Sequence, residues 1–85
     1  MRSFMYTLKI PTGMHARHAG LFVKAVNQYA SRVSVTYGDK TVDGRRLLAL
    51  MSLGIKQEGL IRVDVEGPDE DVAAVKLKAY VWENL

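Results

Sequence analysis

From Arg2 to Ile10 the apolar side chains fall on alternate positions, Phe4, Tyr6, Leu8 and Ile10, with Ser3, Thr7 and Lys9 opposite and Met5 as the one exception. That period of two predicts a strand buried on one face. Pro11-Thr12-Gly13 breaks the pattern, and Ala19, Phe22, Val23 and Val26 then recur at helical spacing, predicting a helix over residues 16–29. Val33, Val35 and Tyr37 alternate with Arg32, Ser34 and Thr36, and Gly38-Asp39 turns the chain into Lys40-Thr41-Val42, two short strands in a hairpin. A second, shorter helix is predicted over residues 45–53, with Asp43 or Gly44 at its start and Gly54 as its stop. Ile61, Val63 and Val65 alternate with Arg62, Asp64 and Glu66 in a further strand that Gly67-Pro68 ends. Asp69, Glu70 and Asp71 open a last helix whose later turns carry Lys76 and Lys78, the charge order a helix dipole favours. Its inward face is expected to be Val72, Val75, Ala79 and Trp82.

The element order is therefore βαββαβα in one domain over residues 1–85. Strands polar on one side imply an α+β open-faced sandwich: a four-stranded antiparallel sheet with all three helices on its apolar face. This order overlaps the ferredoxin-like arrangement, which serves many functions, so architecture alone does not give a role. The second helix is unusual. At about 100° per residue, Leu47, Leu48, Leu50, Met51 and Leu53 sweep roughly 220°, far more than the stripe of about 100° that one core contact uses. Part of that apolar surface must stay outside.

Composition narrows the setting. The chain has 85 residues and no cysteine, which excludes a disulfide framework and any thiolate metal site and fits a reducing compartment. With neither a signal-peptide core nor an apolar run long enough to span a bilayer, a cytoplasmic protein without membrane insertion is expected. Residues 1–56 hold nine Lys and Arg against Asp39 and Asp43, whereas residues 57–85 hold three against seven acids. A basic face suited to an anionic partner follows. Nucleic acid is not the expected partner, because no paired aromatics or glycine-clamped loop lie on the strands and their exposed faces carry acids.

Both histidines lie in Gly13-Met14-His15-Ala16-Arg17-His18, where the first turn meets the first helix. A helix start offers unpaired N–H groups and partial positive charge, which disfavour imidazolium and leave an imidazole neutral and nucleophilic. A phosphoryl group acquired there would meet the N–H groups of Ala16, Arg17 and His18 and the fork of Arg17. The residues alone equally allow His15 to cap the helix and Arg17 to be solvated. A metal site is not predicted, since no cysteine or nearby acid completes the pair His15 and His18, and no cofactor is implied. No third histidine is available to pair with a serine as in a hydrolase.

Gly13-Met14-His15-Ala16-Arg17 resembles the phosphorylation-site motif of HPr, the histidine-containing phosphocarrier of the bacterial phosphotransferase system. Lys40-Thr41-Val42, Leu50-Met51-Ser52-Leu53-Gly54 and Gly67-Pro68-Asp69-Glu70 resemble that family in the same order, so the likeness spans essentially the whole chain. The resemblance implies the open-faced sandwich already derived. It also implies a carrier rather than an enzyme, which accepts a phosphoryl group from enzyme I on His15, through Nδ1, with Arg17 as its partner, and passes it to enzyme II components. Leu47, Leu48 and Met51 look like the family's docking patch, with Gly20, Lys24 and Arg46 completing the face. Two positions depart from the pattern. His18 stands where the family usually has proline, and Arg46 where Gram-positive members carry a regulatory serine, so the serine-kinase switch is not expected. The tail Ala79-Tyr80-Val81 resembles Crh, the regulatory paralogue, but Crh lacks the carrier histidine that this chain has.

Overall fold

The computed structural model describes all 85 residues. Strands β1 (Arg2–Thr7), β2 (Arg32–Tyr37), β3 (Lys40–Asp43) and β4 (Leu60–Glu66) form one antiparallel sheet in the order β1-β4-β2-β3. Helices α1 (Ala16–Val26), α2 (Leu47–Ser52) and α3 (Glu70–Asn84) complete the expected βαββαβα order. The alternation read from the sequence is the alternation of burial. Phe4, Tyr6, Val33, Val35, Ile61, Val63 and Val65 line the helix side of the sheet, and their neighbours face water. Phe22 and Val26 of α1, Leu50 of α2 and Leu77 and Val81 of α3 close over them in a single core.

Several boundaries differ from the expected ones, each for a local reason. β1 stops at Thr7 because Leu8 pairs with the loop before β4, exchanging bonds with Gly59 and Glu58, while the N–H groups of Lys9 and Ile10 donate to Leu85. Helix α1 ends at Val26, not Tyr29, since Gln28 and Tyr29 bond only three residues back. Helix α2 starts at Leu47 and not near Arg45, because Asp43 Oδ1 accepts the Arg45 N–H and Arg46 is still extended. Gly54 stops α2 as expected, with φ of 62°.

The rotation of α3 reverses the expected one. Ala73, Leu77 and Val81 are buried, whereas Val72, Val75, Ala79 and Trp82 lie outside, Trp82 edge-on against Tyr6. Apolar residues surround this helix almost completely, so spacing could not choose a face. The choice is made upstream. The Asp69 carboxylate accepts the N–H groups of Ala30 and Ser31 and the Ser31 hydroxyl, which fixes how the first turn enters the fold.

Arg45 donates to the carbonyls of Ser31 and Tyr29, in the segment between α1 and β2, and at longer range to that of Val26, the last residue of α1. A guanidinium there gives the turn's carbonyls a charged partner and suits the negative end of the helix. Hydrogen bonds of charged groups are worth about 1.5–3 kcal/mol. Arg45→Ala is therefore expected to cost about 2 kcal/mol and lower the melting temperature by roughly 10 °C, read by calorimetry.

Hydrogen bonds from the Ser31 side chain, then from Ala30, hold Asp69 below the usual carboxylate range. A depressed folded pKa contributes stability that is present above the unfolded value and lost as pH falls through the folded one. The Asp69 contribution is expected to be level from neutrality to about pH 5 and then to decline, and Asp69→Asn should flatten that part of the acid melts.

Candidate functional site

His15 is the N-cap of α1, with extended backbone, and its carbonyl accepts the first intrahelical bond, from the N–H of Ala19. The N–H groups of Ala16, Arg17 and His18 precede that bond, so they have no partner inside the helix. The His15 side chain makes no capping bond. Its ring is exposed, and so are Ala16 and Arg17. No acid lies in the first turn of α1, in contrast to α3 with Glu70 and Asp71, so the positive end of α1 is not neutralised from within. Arg17 forms no ion pair. An imidazole, a guanidinium and free N–H groups thus stand together at one accessible helix end.

The loop that presents His15 is fastened from below. Met14 is buried, and its N–H donates to the Ile55 carbonyl at 2.9 Å. Gly13, with φ of 71°, passes so close to the same strand of loop that an added Cβ would sit 2.6 Å from the Ile55 oxygen. Sequence reasoning noted Gly13 only as a break. Glycine immediately before a buried Met and an exposed His was the available signal for a crossing of two backbones.

The apolar excess of α2 is outside, as expected. Leu50 and Leu53 enter the core, whereas Leu48 is 78% exposed and Leu47 and Met51 are more than a third exposed. Helix α2 packs beside α1, whose Gly20 and Lys24 lie one turn apart on one face. Space around Gly20 is open, Lys24 is exposed, and Arg46 is exposed just before α2. Arg45, by contrast, is half-buried and occupied with the carbonyls of Tyr29 and Ser31, so its charge is committed to the fold.

Two acids of the later half lie where β1 begins: Asp71 pairs with Arg2 at 2.6 Å and Glu70 with the Met1 amine at 2.8 Å. No group of three or more His, Cys, Asp or Glu is placed to hold a metal ion. The surface hollows of the molecule are all lined without His15. The geometry is an open anion-accepting surface and not an enclosed cleft. No helix is long and apolar enough to cross a membrane.

An open-faced sandwich with an unengaged histidine at a helix start defines a class: small α+β proteins whose chemistry sits on their surface. Residues 2–83 match the family model described as the PTS HPr component phosphorylation site. The chain is 36% identical over 73 residues to the phosphocarrier protein HPr of Buchnera aphidicola subsp. Acyrthosiphon pisum, covering 86% of each. It is 35% identical over 78 residues to the HPr-like protein Crh of Bacillus subtilis, covering 92% of each. Among solved structures, HPr-C-His from Thermoanaerobacter tengcongensis superposes with a TM-score of 0.92 at 31% identity, over 99% of this chain and 94% of that one. The chain belongs to the HPr family. Members of that family are phosphocarriers, not enzymes, and work with the enzymes of the phosphotransferase system.

Proposed function

We propose that this chain is a working phosphocarrier. His15 takes a phosphoryl group from phospho-enzyme I and hands it to enzyme II components in sugar or related phosphotransfer, in the cytoplasm. The observation that carries the reading is the exposed His15 ring, free of any hydrogen bond, at the acid-free start of α1. In the transfer, the Nδ1 lone pair forms a bond to phosphorus while the bond to the donor breaks and its electron pair leaves with the donor. Arg17 and the N–H groups of Ala16, Arg17 and His18 then hold the oxygens. An open site stabilises the group only modestly, which suits a carrier that must release it.

Gly20, Lys24, Arg46, Leu47, Leu48 and Met51 form the docking face, an apolar centre with cations at its edge. Met and Leu suit a surface that accepts more than one partner. Leu48→Asp is expected to weaken enzyme I binding by about tenfold or more, read by titration calorimetry, with the melting temperature preserved because the side chain is already in water. With Arg46 in place of serine, the start of α2 carries a permanent positive charge, and seryl phosphorylation there is not part of this protein's regulation.

Incubation with phosphoenolpyruvate, magnesium and enzyme I, followed by intact-mass measurement, tests the reading. One acid-labile phosphoryl group is expected; no gain with the cognate enzyme I overturns it. The near-equal identity to Crh supports a second reading, a regulatory module that binds proteins through the same face without transfer. Under that reading no group is gained, and partner binding is indifferent to His15→Ala.

A further inference from the structure

The structure places a second imidazole on the first. The rings of His15 and His18 lie with centroids 4.1 Å apart and planes tilted by 52°. His18 is half-buried, and its Nδ1 is shut off from solvent with no hydrogen-bond partner. A buried N–H without an acceptor costs about 1–3 kcal/mol. The neutral ring therefore keeps its proton on Nε2, the nitrogen that reaches solvent, and Nε2 is a donor.

The surroundings favour the neutral ring. Burial, then the positive charges of His15 and Arg17, hold His18 below the ordinary histidine range. No opposing charge reaches it from the packed elements: α2 (Leu47–Ser52) carries no charged side chain, and no group of α3 acts on the ring. A phosphoryl group on His15 reverses this field, because it brings a charge of about −1.5 to −2 beside the ring.

We propose that His18 is a positioning residue for phospho-His15, its Nε2 donating to a phosphoryl oxygen and its ring taking up a second proton on Nδ1 as the group arrives, the phosphoryl charge offsetting the cost of that unpartnered N–H. The proposal rests on the carrier reading above and adds a proton linkage to it. A proline at this position offers neither donor nor charge. By linkage, each pH unit by which the His18 titration midpoint rises on phosphorylation corresponds to a tenfold firmer hold on the phosphoryl group at pH below the midpoint of the free protein, and to a smaller gain between the two midpoints. Phosphorylated protein is then favoured on the acid side of neutrality and gives up its group more readily on the alkaline side.

The test uses the full chain phosphorylated in two ways, with phosphoenolpyruvate and enzyme I, and chemically with phosphoramidate. The singly modified fraction is located by fragment mass. Proton–nitrogen NMR then follows the His18 ring against pH in the free and phosphorylated proteins. The expected result is an upward move of the His18 midpoint by about one pH unit or more. In parallel, His18→Gln, which can donate but not titrate, and His18→Pro lose the near-neutral component of the pH profile for hydrolysis of the phosphoryl group. A midpoint that stays or falls overturns the proposal. So do hydrolysis profiles of the wild-type and Gln proteins that superimpose, or phosphoramidate labelling of His18 in place of His15. Failure of enzyme I alone to label the chain counts only against the carrier reading, since the chemically prepared sample still reports on His18.

Discussion

His15→Ala is expected to abolish acid-labile phosphoryl uptake from phospho-enzyme I while moving the melting temperature by no more than about 5 °C. The two halves of that result have separate causes. Uptake needs a neutral nitrogen nucleophile, and no other side chain in the motif supplies one with an open approach, because the lone pair of His18 lies on its buried Nδ1. Stability is spared because the His15 side chain makes no capping bond; its carbonyl, which does accept from Ala19, is retained by alanine. Intact mass after incubation with phosphoenolpyruvate and enzyme I, with a thermal melt of the same sample, checks both. Residual labelling of the variant moves the acceptor to His18.

Gly13→Ala is expected to injure fold and function together. A Cβ at φ of 71° costs about 1–2 kcal/mol by itself. Here it also meets the Ile55 oxygen at 2.6 Å and the Lys56 Cα at 3.0 Å, backbone atoms that cannot step aside without moving the loop. Overpacking of this kind adds about 1–3 kcal/mol, for a total of about 2–5 kcal/mol. The oxygen displaced is the one that accepts from Met14, the residue before His15. The imidazole therefore shifts, and uptake should slow by about tenfold or more even at temperatures where the variant is folded, since transfer depends on alignment of nucleophile and donor. A melting curve and single-turnover phosphorylation of the same preparation separate the two losses. Unchanged uptake in a destabilised variant would show that the Gly13 crossing supports the fold alone.

The strands and the site motif were legible in the sequence, and the reasons differ. Period-two alternation in β1, β2 and β4 reflects a sheet with one wet face, so each residue's side of the sheet follows from its parity. The place of His15 and Arg17 at a helix start was legible because Pro11-Thr12-Gly13 announces that start. Helix α3 was placed but turned the wrong way, because residues such as Val72, Val75 and Trp82 are as apolar as those that are buried, and the deciding contact is Asp69 on Ala30 and Ser31, 38 residues distant for the latter. The ends of α1 and α2 are set by contacts of the same hidden kind: Arg45 reads as a surface cation, yet its N–H bonds Asp43 and its guanidinium bonds the carbonyls of Tyr29 and Ser31 beyond α1. Ring contact between His15 and His18 has no one-dimensional signature beyond a spacing of three.

The clasp formed by Arg45 and Asp69 divides substitutional freedom unevenly along α1. Tyr29, Ala30 and Ser31, just beyond the helix, have carbonyls and N–H groups committed to charged side chains from distant segments. A change at either clasp residue therefore strands several backbone groups at once. The exposed Arg17 and Arg46 carry no such duty. Drift there is thermodynamically cheap. Under the carrier reading proposed above, exchange of the residue at position 46 retunes regulation without disturbing the architecture beneath it.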